Sequence, residues 1–156
     1  MVYFAISGKF KPFTGEIIDF RKDLNGISMP HQVIRNGHGN VLVACSSKSG
    51  HWESQKSEIG KNVTISPDNR DYLVINPEIG NIQGQVVTAR TIGLGRDAFL
   101  SALTIQVGEE EFKTIAFKPY PSQKRKMGLD LTGKKISLEN NELFIIEGER
   151  RKPWPK

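Results

Sequence analysis

The second half of this chain reads as a rewritten copy of the first. Gly15-Glu16-Ile17-Ile18-Asp19-Phe20-Arg21 lines up with Gly84-Gln85-Val86-Val87-Thr88-Ala89-Arg90, and Val43-Ala44-Cys45 lines up with Ile115-Ala116-Phe117. Gly60-Lys61-Asn62-Val63-Thr64-Ile65 then lines up with Gly133-Lys134 and Ile136-Ser137-Leu138, and Tyr72-Leu73-Val74-Ile75 with Leu143-Phe144-Ile145-Ile146. The four blocks keep their order at offsets of about seventy residues. Any single match carries little weight, whereas a shared order is hard to reach by chance. A chain of 156 residues therefore divides into two small, strand-rich units. Each has a modest core and gains by packing on a neighbour.

Within each unit the local signals are those of short strands. After an opening strand, Val2–Ser7, and the loop Gly8–Pro12, Gly15–Arg21 is rich in β-branched residues and has no helical stripe. A long loop holding Asn25-Gly26 and Pro30 is expected next, then a strand over His31–Arg35. Asn36-Gly37 is a hairpin signal, because both residues tolerate positive φ, and Val41–Cys45 is the return strand. The polar stretch Ser46–Ile59 suits a loop or one short helix. Asn62–Ser66 and Tyr72–Asn76 follow as a pair joined through Pro67-Asp68-Asn69. The second unit repeats the plan. Gly84–Ile92 is followed by the break Gly93-Leu94-Gly95, and Ala98–Val107 and Glu111–Phe117 form a hairpin. The insert Ser122–Asp130 precedes Lys134–Leu138 and Leu143–Glu147, joined by Asn140-Asn141.

Three strands, an insert and two further strands is the order of an oligonucleotide/oligosaccharide-binding (OB) barrel. Most of the chain resembles that family in layout, although OB folds carry no signature sequence. SH3-like barrels of the KOW or Tudor type are the structural rival, above all for the first unit. The expected fold is thus all-β, with two tandem five-stranded barrels at 1–78 and 79–149 and a basic tail at 150–156. Closed barrels would hide strand edges and keep so much strand sequence soluble. The basic two-barrel layout is also similar to the small early DNA-binding proteins of T-even bacteriophages. That resemblance implies a KOW- or Tudor-like N-terminal part, association with double-stranded host and phage DNA, and an influence on transcription.

Charge points to the same class of partner. The formal net charge is +5, and the pI is about 9.4. From Lys118 to the end, ten Lys or Arg face five Asp or Glu. Lys124-Arg125-Lys126 with Lys134-Lys135, and Arg150-Arg151-Lys152 beside Trp154, are the two clusters, and such clusters attract phosphate backbones or acidic surfaces. OB folds bind across strands two and three, where cations pair with aromatic stacking platforms. On that mapping the second unit offers Lys113, Lys118, Tyr120, Arg90 and Arg96, and the first offers Arg21, Lys22 and Arg35, with Trp52 in the insert. Arg21 and Arg90 occupy matching places and either touch phosphate or keep one face soluble. Phe20, Phe112 and Phe117 are expected inside, because small barrels need large side chains there. Trp154 either stacks on a base or belongs to an unordered end.

Other chemistries find less support. His31, His38, Cys45 and His51 are zinc-ligand types, but their spacing matches no known finger. A Walker-type loop is missing, and Gly93-Leu94-Gly95 lacks the following helix of a dinucleotide fingerprint. The expectation is a non-enzymatic protein without cofactors. With one cysteine, no apolar run near the roughly 18 residues of a membrane span and no signal-like start, it is expected in the cytoplasm. DNA or RNA is the expected partner, with the strand number left open. The rival is an adaptor docking on a polymerase, ribosome or phage assembly.

Overall fold

A computed structural model describes residues 1–46, 57–68, 72–93, 99–119 and 127–155. The all-β class holds: twelve strands and a single 3-10 turn, Leu129–Leu131, make up the regular structure of these residues. They belong to two compact units. The N-terminal unit is built on Ile6–Pro77, and the C-terminal unit on Glu78–Ile92 and Phe99–Lys156. Met1–Ala5, expected with the first unit, belongs to the second.

The chain opens on β1 (Tyr3–Ile6). The N-terminal unit then contains β2 (Phe13–Leu24), β3 (Ile27–Arg35), β4 (Val41–Ser46), β5 (Asn62–Ile65) and β6 (Tyr72–Asn76), in the order β6-β4-β3-β2-β5. The C-terminal unit holds β7 (Ile82–Gly93), β8 (Phe99–Gln106), β9 (Phe112–Phe117), β10 (Lys135–Glu139), β11 (Glu142–Glu147) and β12 (Arg150–Trp154). Its order is β12-β11-β10-β7-β8-β9-β1. Both orders are those of open antiparallel sheets. The C-terminal core gathers Val86, Leu103, Ile105, Ile115, Phe117, Ile136, Leu138 and neighbours, and Ile17, Ile34, Ala44, Ile65 and Val74 form the N-terminal core. Full burial of the Val, Leu, Ile and Phe side chains among them stabilises by about 1.5–3 kcal/mol each.

The repeat survives in three dimensions as a shared backbone frame. In the first copy the Ile17 N–H donates to the Lys61 carbonyl (2.9 Å), and the Gly60 N–H donates to the Ile17 carbonyl (2.8 Å). In the second copy Val86 donates to Lys134 (2.9 Å) and Gly133 to Val86 (2.7 Å). Gly60 and Gly133 have φ of +97° and +84°, a region that favours glycine. Two residues before each strand residue sits a glycine of another kind. A Cβ on Gly15 would stand 2.5 Å from the Arg35 carbonyl oxygen, and one on Gly84 2.1 Å from that of Gln106. The ladders also fix the alignment. Val33 pairs with Val43 and Thr104 with Thr114, so Ala44 answers to Ile115. The sequence alignment of that block was one residue out, which in a strand exchanges the two faces.

Turn chemistry departs from expectation at two places. Asn25 (φ 49°) and Gly26 (φ 92°) make a two-residue turn, so the expected long loop is a hairpin of β2 and β3. Pro30 lies inside β3 where the β2–β3 register shifts, a position that does not demand a backbone donor. Conversely, the Asn36–Asn40 loop places its positive φ on Gly39 (83°), not on Asn36-Gly37. Asn36 uses its side chain instead, with Oδ1 accepting from the N–H groups of His38 (3.0 Å) and Asn40 (2.9 Å).

Candidate nucleic-acid interface

Two of the sequence's basic segments, separated by a whole hairpin, are brought together at one end of β10–β11–β12. Asn140 and Asn141 take φ of 50° and 62° and fold β11 back on β10, and a turn at Gly148-Glu149 folds β12 back on β11. Residues directly opposite in antiparallel strands share a face. Arg151, Ile146, Lys135 and Gln85 therefore form one row across β12, β11, β10 and β7. Lys134 precedes β10, and Arg150 and Lys152 flank Arg151 along the chain but sit on the opposite face of β12 from the row. All five cations are exposed. The stretch 150–154, expected as a tail, is a paired strand.

Arg151 is the most constrained of them. Its guanidinium lies 4.6 Å from the centre of the Phe144 ring and donates to the Glu139 carboxylate. Ser137 Oγ donates to the same carboxylate (3.1 Å). The Arg151 hydrogen bond, then that of Ser137, holds the Glu139 carboxyl below its ordinary range. Lys152 Nζ stands 3.5 Å from Glu147. Such exposed pairs are weak because solvent screens them, too weak to exclude a competing phosphate. Lys134, Lys135 and Arg150 make no ion pair among the described residues. Trp154 is half-buried, with its ring 5.4 Å from that of Phe117, so its indole belongs to the edge of the core.

The other expected contact residues scatter. Arg21 is exposed on β2 and tied to Asp19 at 3.1 Å. Arg35 ends β3 beside an open hollow shared with Glu16, Asn36 and Asn62. Arg90 is exposed on β7, Lys113 is exposed on β9, and Lys118 follows β9 half-buried. Arg96, Tyr120, Lys124, Arg125 and Lys126 lie outside the described residues, as do Trp52 and His51. No protein-family model, curated protein or solved structure matches the chain.

Of the aromatic residues expected inside, Phe117 is fully buried, but Phe112 is 53% exposed. It begins β9 after the acidic loop residues Glu109–Glu111, where neither sheet face is yet covered. Val41, its counterpart in the first copy, is 54% exposed. Sequence reasoning passed over Phe144, Glu139 and Glu147, since pairing across strands, not adjacency, makes them partners of the cations. His31 is buried, with Nδ1 2.7 Å from the Met29 carbonyl, and Cys45 is buried in β4. Among the described residues no group of three or more His, Cys, Asp or Glu could hold a metal ion.

Proposed function

We propose that this is a non-catalytic nucleic-acid-binding protein that grips the phosphate backbone with little sequence preference. The observation supporting it is the convergence of Lys134-Lys135 and Arg150-Arg151-Lys152 around the end of β11. The net charge of +5 favours the same partner at longer range. The OB-like or KOW/Tudor-like barrel layout, the likeness to early DNA-binding proteins of T-even bacteriophages, a cytoplasmic location and an influence on transcription belong to this proposal. Titration of single-stranded DNA, duplex DNA and RNA at two salt concentrations tests it. Affinity should fall steeply with salt, and absence of binding at low salt would reject the reading. An adaptor docking on another protein is the second reading, favoured by one observation: Val41 and Phe112 expose apolar surface at matching places in both copies. Copurification that depends on Phe112 but not on Lys135 would select it.

A further inference from the structure

Beside the cation row, within the C-terminal unit, lies an open-sided cavity of about 430 Å³. Asn141, Glu142, Leu143, Phe144, Pro153 and Trp154 line it. We infer that this cavity takes one unpaired nucleobase of a single strand whose phosphates run over the Lys135–Arg151 row. This inference rests on the nucleic-acid reading above.

Three observations carry it. The volume lies in the range of small-molecule sites, and flat or ring-shaped residues line it, Phe144 and Pro153 from one face of the sheet and Trp154 from the other, which suits a planar heterocycle. Phe144 and Pro153 stand directly opposite one another, two residues along from the Ile146–Arg151 pair, about 7 Å away by strand rise. A base on the Phe144–Pro153 side thus leaves its phosphate near Arg151 and Lys135. Arg151 caps the Phe144 ring and is itself held by Glu139, so ring and guanidinium are positioned before any ligand arrives.

Charge sets which end of the site holds phosphate. Glu139 and Glu142 face each other directly across β10–β11, which repels phosphate from the cavity end. Glu142 is exposed at that end, and its carboxylate can accept a hydrogen bond from an exocyclic amino group. Cytosine has such a group and thymine does not. A paired base in a duplex cannot enter without leaving its stack. The site therefore prefers single strands that carry amino-bearing bases.

The test uses the full chain carrying Trp52→Phe, so that Trp154 alone reports. Oligo(dC), oligo(dT) and a duplex of equal length are titrated at one salt concentration. Oligo(dC) should shift Trp154 emission and bind about fivefold or more tighter than the other two. Phe144→Leu should remove that preference while leaving the salt slope unchanged. Glu142→Gln, an exposed change that leaves the core untouched, should bring oligo(dC) and oligo(dT) together even if Phe144→Leu fails to fold. Equal binding of all three with Trp154 emission unmoved would overturn the cavity assignment and leave phosphate binding intact. Failure of all three to bind at low salt would overturn both.

Discussion

The two copies share a frame and part company at their fifth strand. In each, the fourth strand pairs with the first in the same register: Thr14 faces Thr64, and Gln83 faces Ser137. In the C-terminal copy the chain then turns through Asn140-Asn141, and β11 lies against β10. In the N-terminal copy β6 does not return to β5; it pairs with β4, through Val43–Ile75 and Ala44–Val74, at the other end of the strand order. The place beside β9 that corresponds to β6 is taken by β1. One turn thus separates a copy that can extend its sheet through β11 and β12 from one that cannot. The cation row exists because the second copy extends.

That comparison can be broken most severely at its shared part. Gly84→Ala should destabilise the protein by about 3 kcal/mol, and Gly15→Ala by somewhat less, since backbone oxygen occupies the Cβ position in both. Urea unfolding of the two variants measures this, and a harmless alanine at either site would show that the frames are not equivalent.

Next come the turns. Asn141 has positive φ and two further tasks: its Oδ1 accepts from the Tyr3 N–H (2.9 Å) and its Nδ2 donates to the Met1 carbonyl (3.1 Å). Asn141→Gly keeps the turn but loses both bonds, at a cost of about 1–2 kcal/mol. Asn25→Gly should stay within about 0.5 kcal/mol, because its task is conformational. Equal melting temperatures for the two variants would refute the distinction.

The charge difference is sharpened by salt titration of DNA binding. Replacing both Lys134 and Lys135 with alanine should flatten the slope by about two counterions, whereas Arg21→Ala with Arg35→Ala should leave it nearly unchanged. A smaller effect follows from Glu139. A carboxyl whose folded value is lowered stabilises above its unfolded value near 4.3, and that contribution fades as pH falls through the folded value. The tether of β12 through Arg151 should therefore be intact at neutral pH and loosen in acid. Glu139→Gln should remove that acid dependence from hydrogen exchange in β12. The smallest effect is expected at Cys45, whose thiol burial pushes up to about 12. It should resist alkylation at neutral pH until the N-terminal unit opens.

Much of this architecture was legible in the chain, because it rests on local chemistry. The glycines of the repeat, the Asn140-Asn141 turn and the alternating apolar residues specify strands and hairpins directly. Asn25-Gly26 carried an equally strong signal, but Pro30 obscured it: a proline reads as loop until a register shift gives it a place in a strand. The departure of β6 from β5 was hidden because strand pairing is non-local. Nothing near Tyr72 announces that Ser46 will face it. The candidate site was half visible for the same reason. Its cations stand out as two runs, but their convergence, and the roles of Phe144 and Glu139, depend on which strands become neighbours.

The clasp at Asn141 has a consequence for how the molecule is made. Tyr3 leaves the ribosome 138 residues, and Met1 140 residues, before Asn141, whose side chain holds both. The N-terminal unit can fold as soon as its own strands are out, as early units generally do. The C-terminal unit must wait, although its β1 strand is made before any other strand of that unit. A fragment starting at residue 79 would lack that strand, leave β9 with an open edge, and invite association through it.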